Sequence, residues 1–217
     1  MIKLIEIKVS KNKKEIIKRA NLTLNKGEIV EIYGKNGSGK TTLLKVLSLI
    51  QKVDEGNVIY FNKNITNYKE SNLSKIRLNY IGYVEQQYRL IPGLNVLESI
   101  SLPLLLKGIN KKEAEKISIE LINEMNLKGK EGEVVDNLSG GEKQRVSIAS
   151  AIAKDPKVLI LDEPFSNQDD IGEEIIIKKL KELKIKEKII VFSSPYMIEG
   201  IADKIYIMKE GILMEKD

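Results

Sequence analysis

Apolar and polar residues follow two different periods along the 217-residue chain. Short stretches in which apolar residues alternate with polar ones, or run without interruption between turn residues, predict β-strands. These stretches lie at 2–9, 15–24, 28–33, 57–61, 80–85, 157–162 and 188–193, and a final hairpin over 204–216 turns at Glu210 and Gly211. Apolar residues spaced three and four apart predict helices instead, at 41–50, over much of 94–153 and at about 170–184.

The order of these elements indicates the fold class. Strands alternate with helices near both ends of the chain, while the middle block is helical in pattern throughout. The strand at 157–162 is apolar almost without a break, which is typical of a parallel sheet covered on both faces. We therefore expect a single α/β domain over 1–217, with a core formed by about 1–86 and 154–217 and a helical subdomain inserted at about 87–153.

Composition excludes several classes of protein. No apolar run approaches the roughly 18 to 20 residues that a membrane-spanning helix needs, and the alternating first residues do not resemble a signal peptide, so we expect a cytoplasmic protein. The chain has no cysteine and no histidine, which removes disulfides, thiolate metal sites and the commonest general base. Any chemistry must therefore use carboxylates, lysines, hydroxyls and backbone groups.

The net charge of +5 does not point to a nucleic-acid partner. Only four of the 36 basic residues are arginines, and the lysines are spread along the chain and interleaved with glutamates. A protein that binds nucleic acid usually clusters its basic residues and uses more arginine. We interpret the lysines as a solvated surface and expect no nucleic-acid partner.

A glycine-rich segment carries the first chemical signal. Residues 34–41 fit the pattern G-x-x-x-x-G-K-[ST] between a predicted strand and a predicted helix, which is the context of a phosphate-binding loop. Glycine lets backbone N–H groups face phosphates, and the helix N-terminus favours an anion. Lys40 would reach the β- and γ-phosphates and Thr41 would bind Mg²⁺. The candidate nucleotide-binding residues here are Gly34, Lys35, Asn36, Gly37, Ser38, Gly39, Lys40, Thr41 and the following Thr42. A glycine turn before a helix is the simpler alternative.

Two carboxylates follow the apolar strand at 157–162. Asp162 and Glu163 stand where a parallel strand delivers side chains to the ligand-binding edge of the sheet. Asp162 would hold Mg²⁺, directly or through water, and Glu163 would polarise the water that attacks the γ-phosphate. The alternative is an acidic pair that caps a helix before Pro164.

A third segment places Ser139, Gly140 and Gly141, here called the signature turn, before the helical pattern at 142–153. Its hydroxyl and N–H groups could bind an anion at a helix N-terminus, although a simple N-cap is the alternative.

Together these segments resemble the ATP-binding-cassette (ABC) family, the motor subunits of ABC transporters, and the resemblance spans nearly the whole chain. The family's motifs appear in order: the phosphate loop, Gln86 in YVEQQ, LSGGEKQ at 138–144, LILDEP at 159–164, and SNQD at 166–169. The stretch over 75–108 is most similar to the lipoprotein-release, macrolide-export and cell-division branch. The resemblance implies an ABC ATPase fold, with a mixed sheet, an N-terminal antiparallel β subdomain and a helical insertion.

The resemblance also implies cofactors and partners. ATP and Mg²⁺ would be sandwiched between two subunits, which are identical or paired with a relative. Each nucleotide would contact the phosphate loop of one subunit and Ser139, Gly140 and Gly141 of the other. Gln86 would contact the metal or the attacking water. A groove near 88–97 would receive a cytoplasmic helix of a separate membrane permease, which would hold the chain on the inner face of the membrane.

Two departures from the family pattern concern catalysis and base binding. The family usually has a histidine near the γ-phosphate, and alignment puts Ser194 there, or Ser193 after a slip of one residue. A serine donates a single hydrogen bond and is never cationic, so we expect slower hydrolysis. The aromatic residue that usually stacks on adenine is absent, with Lys11 near its place.

Two other functions remain as alternatives. The missing histidine would suit a nucleotide-gated module with little or no hydrolysis, although Glu163 argues against it. ABC proteins that act on DNA or ribosomes usually carry a coiled-coil insertion or a second cassette, and this sequence has neither.

Overall fold

In the computed structural model, which describes residues 1–216, the chain is an α/β protein with one ten-stranded sheet. The strands are β1 (Ile2–Lys11), β2 (Lys14–Leu24), β3 (Ile29–Tyr33), β4 (Glu55–Tyr60), β5 (Lys63–Asn64), β6 (Ile81–Val84), β7 (Val158–Leu161), β8 (Ile189–Ser194), β9 (Lys204–Lys209) and β10 (Ile212–Glu215). The helices are α1 (Lys40–Leu47), α2 (Glu70–Tyr80), α3 (Val96–Leu106), α4 (Lys111–Glu124), α5 (Gly140–Ala153) and α6 (Asp170–Ile185).

The sheet is mixed, as the sequence predicts. Its strands run in the order β5-β4-β1-β2-β10-β9-β3-β8-β7-β6. The part formed by β5, β4, β1 and β2 is antiparallel, whereas β9, β3, β8, β7 and β6 are mutually parallel neighbours. The carboxyl ends of β3, β6, β7 and β8 therefore meet at one edge of the sheet. The phosphate loop follows β3, Gln86 follows β6, and Asp162 and Glu163 follow β7, so these predicted site residues come to the same edge.

Two hydrophobic clusters cover the two faces of the parallel strands. Successive residues of β7 alternate between them, so Val158 and Ile160 join the cluster that contains α1, and Leu159 and Leu161 join the cluster that contains α3, α4 and α5. This double burial confirms the prediction made from the uninterrupted apolar strand. Because both faces of the sheet are packed, each side chain at the end of β7 or β8 must project toward one particular face.

The predicted helical block contains α3, α4 and α5, and the residues between α4 and α5 are mostly turns and bends. Helix α3 begins at an Asn95 capping box and contains Pro103. After β8 the structure has turns and bends over 195–203. Within residues 1–216, no helix is both long enough and apolar enough to cross a membrane.

Candidate functional site

The predicted phosphate loop connects β3 to α1, as its sequence pattern requires. Gly37 and Gly39 have φ angles of 78° and 112°, a region that side chains with a Cβ rarely adopt. A Cβ on Gly34 would lie 2.3 Å from the carbonyl oxygen of Met208, so only glycine fits where the loop leaves β3. Local conformation and close packing both require glycine in this loop.

Lys40 is the first residue of α1 and points back over the loop. Its Nζ donates a hydrogen bond to the carbonyl oxygen of Gly34 (2.7 Å) and lies 3.5 Å from Oε1 of Glu163. The side chains of Lys40 and Glu163 are only 4% and 9% exposed. Because a buried charge is costly without a compensating partner, the ammonium group of Lys40 and the carboxylate of Glu163 stabilise each other in this position.

Glu163 connects three motifs that are distant in the sequence. It follows β7 with a φ of 51°, and Nε2 of Gln86 donates to its Oε2 (2.8 Å). Nε2 of Gln144, in α5, donates to its carbonyl oxygen (3.0 Å). A carboxylate held by Lys40 and Gln86 therefore faces the cavity in front of the phosphate loop.

Asp162 presents an unpaired oxygen beside this carboxylate. Oγ of Ser193 donates to Oδ1 of Asp162 (2.5 Å) and accepts from the backbone N–H of Glu163 (3.0 Å). Oδ2 of Asp162 is buried and has no hydrogen-bond partner among the described residues, and the same is true of Oγ of Ser38. Buried polar groups are rarely left unpaired, so the free oxygen of Asp162, next to Glu163, is available to a bound cation.

These oxygens fit Mg²⁺. Residues 1–216 contain no cluster of three carboxylates that could hold a metal alone. Mg²⁺ is usually bound by one or two protein oxygens together with phosphates and water. Asp162 offers a buried carboxylate oxygen next to Glu163 but does not itself line the cavity, whereas Thr41 and Gln86 do. Their chemistry suits a magnesium ion that arrives with a phosphate ligand.

The cavity in front of the loop has a volume of about 410 Å³ and brings most of the predicted site together. Its predicted lining residues are Asn36, Gly37, Gly39, Lys40, Thr41, Thr42, Gln86 and Glu163. The sequence did not predict Ile16 of β2, which also lines it, and Lys11 does not. Gly34, Lys35 and Ser38 instead line a neighbouring depression with Met208.

The signature turn lies outside this cavity. Ser139 is the N-cap of α5: its Oγ accepts from the N–H of Glu142, and its own N–H donates to Glu142 (2.9 Å). Ser139 and Gly140 are exposed, and a Cβ on Gly141 would lie 2.8 Å from the carbonyl oxygen of Asn167. The hydrogen bonds that Lys130 and Ser139 donate lower the pKa of the Glu142 carboxyl to about 2. The turn is thus rigidly capped, and its outer side is open.

Ser193 and Ser194 lie on opposite faces of β8. Ser193 contacts Asp162, whereas Oγ of Ser194 donates a hydrogen bond to Glu31 in the middle of β3. Side chains alternate along a strand, so two consecutive serines cannot both face the phosphate loop. The structure therefore brings Ser193 to the carboxylates and does not bring Ser194 there.

Two further buried residues were missed from the sequence. Gln144, inside LSGGEKQ, supports the backbone of Glu163, and Glu31 binds Ser194. An acidic residue inside the otherwise apolar stretch IVEIY was the available signal for Glu31. Nothing in the local pattern indicated its partner, which lies 163 positions away.

The chain is similar to several known proteins in sequence and fold. The model of the ABC transporter family matches residues 17–166. The chain is 34% identical to the lipoprotein-releasing system ATP-binding protein LolD of Rickettsia typhi, over 97% of this chain and 96% of that protein. The dimeric structure of MJ0796, a bacterial ABC transporter cassette, superposes with a TM-score of 0.94 at 32% identity, covering 100% of this chain and 98% of that one. A second MJ0796 dimer, in a post-hydrolysis state bound to ADP and Pi, gives a TM-score of 0.92 at 31% identity, with coverage of 100% and 98%.

Proposed function

Because the chain belongs to the ABC transporter family, whose ATP-binding subunits bind ATP and Mg²⁺, we propose that it hydrolyses ATP to drive a membrane permease. The observation that carries this proposal is the buried cluster of Lys40, Glu163 and Gln86 on the wall of the cavity, beside the unpaired oxygen of Asp162. The cluster holds charge and hydrogen-bond donors in defined positions beside the cavity, which is how an active site stabilises developing charge.

Each residue then has a distinct task. The N–H groups of the loop and the ammonium group of Lys40 bind the phosphates of ATP, and the carboxylate of Glu163 accepts a hydrogen bond from the attacking water. Gln86 keeps that carboxylate oriented. Thr41, Asp162 and Gln86 would hold Mg²⁺, which when bound neutralises charge on the phosphates. Ser193 would keep Asp162 in place through its hydroxyl.

A second subunit would complete the site. The signature turn is capped, rigid and open on its outer side, yet it does not line the cavity of its own chain. Exposed N–H groups at a helix N-terminus favour an anion such as the γ-phosphate. We therefore propose that two copies pair around two ATP·Mg²⁺, each signature turn binding the nucleotide held by the other copy.

The permease would bind on the helical side. A cavity of about 230 Å³ lies between β6, α3 and α5, and its lining includes Tyr88, Leu90 and Pro103. Ile91 and Leu106, nearby in the sequence, are 51% and 65% exposed. Exposed apolar side chains around a groove suit an amphipathic helix, so docking there would hold the subunit on the inner face of the membrane. Lipoprotein release, named for the relative from Rickettsia typhi, is the transport process to examine first.

Replacing Glu163 by Gln tests hydrolysis most simply. We expect Glu163→Gln to bind ATP·Mg²⁺ with nearly unchanged affinity and to lose at least about 100-fold in single-turnover hydrolysis, because the amide cannot accept a proton. Glu174→Gln is the control, since Glu174 is exposed on α6. Equal hydrolysis by Glu163→Gln and the wild type would contradict the role of Glu163.

A nucleotide-gated module with little or no hydrolysis is the second candidate. It is favoured by the absence of histidine from the sequence and by the hydrogen bond from Ser194 to Glu31, which leaves that hydroxyl away from the cavity. The same experiment separates the two functions. A wild-type protein that binds ATP but shows no hydrolysis above the protein-free background would identify the gated module, whereas equal and measurable rates would count only against the role of Glu163.

A further inference from the structure

Glu31 is a carboxylate in an unusual position. It is 0% exposed in the middle of β3, between the buried residues Val30 and Ile32, and three residues before the phosphate loop. Fully buried acidic residues almost always have a cationic partner. No lysine or arginine of residues 1–216 forms an ion pair with Glu31, and burial raises the pKa of its carboxyl group. A buried carboxylate without an ion-pair partner is costly, so its hydrogen-bond partners must stabilise it.

The hydrogen bonds to the Glu31 carboxylate come from the end of β8 and from the segment that follows it. Its Oε1 accepts hydrogen bonds from Oγ of Ser194 and from the backbone N–H of Ile198 (3.1 Å). The backbone N–H of Gly34, at the start of the phosphate loop, donates to the carbonyl oxygen of Ser194 (3.2 Å). Glu31 thus fixes the end of β8 and the segment after it against the strand that leads into the phosphate loop.

This attachment reaches the site through Ser193. Ser194 is bound on one face of β8, and Ser193, the preceding residue, projects from the other face onto Asp162 and the N–H of Glu163. Since consecutive side chains of a strand are fixed relative to each other, holding Ser194 also sets the direction of Ser193. A small rotation of this strand end would move Ser193 away from both carboxylate-bearing residues.

We propose that Glu31 is a positioning residue for hydrolysis, which acts through the serine pair to hold Asp162 and Glu163 in place. The proposal rests on the proposed function. Glu31 contacts neither the cavity nor the carboxylates, so its effect on the site passes through Ser194 and Ser193. The family resemblance predicts that Ser194 contacts the γ-phosphate. In the structure, Ser194 is instead hydrogen-bonded to Glu31.

Amide hydrogen exchange tests this link without relying on hydrolysis. In Glu31→Ala we expect the amides of Ile198 and Glu163 to exchange at least about 10-fold faster, because one amide loses its acceptor and the other loses the fixed position of Ser193. Glu31→Gln keeps an acceptor oxygen and should return both rates to within about threefold of the wild type. The control is Glu28→Ala, which removes a half-buried carboxylate that immediately precedes β3 and accepts a hydrogen bond from Asn25.

The Glu163 amide decides the outcome, since it touches neither Glu31 nor Ser194. Unchanged exchange at Glu163 in Glu31→Ala would overturn the proposal. A similar rise across all amides of β7 would also overturn it, because that result indicates general destabilisation. If Glu31→Ala does not fold, Ser194→Ala removes the same link from its other side and should also speed exchange at Glu163.

Single-turnover hydrolysis supplies the second measurement. We expect Glu31→Ala to bind ATP with unchanged affinity and to hydrolyse it about 10-fold more slowly, because small displacements of catalytic groups are costly. Adding Ser194→Ala to Glu31→Ala should slow hydrolysis little further, since both substitutions remove the same hydrogen bond between Glu31 and Ser194. If wild-type protein shows no hydrolysis above the protein-free background, the proposed function fails, and the exchange rates still decide the role of Glu31.

Discussion

The phosphate loop and the signature turn both present backbone N–H groups at the start of a helix, but their surroundings differ. The loop is enclosed by its own chain: Lys40 is buried, and its ammonium group contacts Gly34 and Glu163. The signature turn is stabilised by its own capping box, yet Ser139 and Gly140 are exposed and do not line the cavity in front of the phosphate loop. Under the proposed function, the phosphate loop is nearly complete within a single chain, and the signature turn would be completed by a surface from outside.

The largest expected effect comes from adding charge to the open site. A Cβ on Gly140 would meet no atom closer than 3.6 Å, so Gly140→Asp should fold, yet its carboxylate would repel phosphate. We expect ATP binding by the monomer to be unchanged and hydrolysis to fall at least about 100-fold, as in other losses of transition-state contacts.

Gly132→Asp is the matched control for that variant. Gly132 is exposed, lies in the same helical region and also has free space around its Cβ position. It should retain hydrolysis within about twofold, because it is not part of the signature turn. Hydrolysis by Gly140→Asp at the rate of Gly132→Asp would show that the signature turn takes no part in the reaction. The structural difference between the enclosed phosphate loop and the open signature turn would then have no role in function.

A smaller effect should show that the signature turn is formed before any partner binds. Glu142→Ala removes one half of the capping box and should lower the free energy of unfolding by about 1 kcal/mol at pH 7, as measured by urea denaturation. The control is Glu133→Ala, which also removes a carboxylate near Lys130 (3.5 Å) but does not cap the helix.

The pH dependence of this difference follows from the pKa of Glu142. Since the folded protein lowers that pKa from about 4.5 to about 2, the ionised form stabilises the fold. The contribution is complete above pH ~4.5 and disappears as pH falls toward 2. The gap between wild type and Glu142→Ala should therefore narrow over this range, and a constant gap would mean that ionised Glu142 does not stabilise the turn.

Local patterns were sufficient to predict the phosphate loop and the carboxylates. A strand, a glycine-rich turn and a helix follow each other within 28–47, and an apolar strand ends at Asp162, so short segments determine this geometry. The mixed sheet and the helical insertion followed from the order of the elements and the family resemblance, and the structure confirms both.

The end of β8 could not be predicted in the same way. Which of two adjacent serines faces Asp162 depends on the pairing of β8 with β3 and β7, and a shift of one residue exchanges the two faces. The sequence pattern predicted that the strand ends at 193, while the structure extends it through Ser194. Ile16 and Glu31 were missed for the same reason, since their partners depend on tertiary packing.

If nucleotide joins two incomplete chains, the mass of Glu163→Gln in solution should depend on ATP. Light scattering should give the monomer mass without nucleotide and twice that mass with ATP·Mg²⁺, because the variant binds ATP without consuming it. Adding Gly140→Asp should return it to the monomer mass. A dimer that forms without nucleotide, or one that survives Gly140→Asp, would contradict the account.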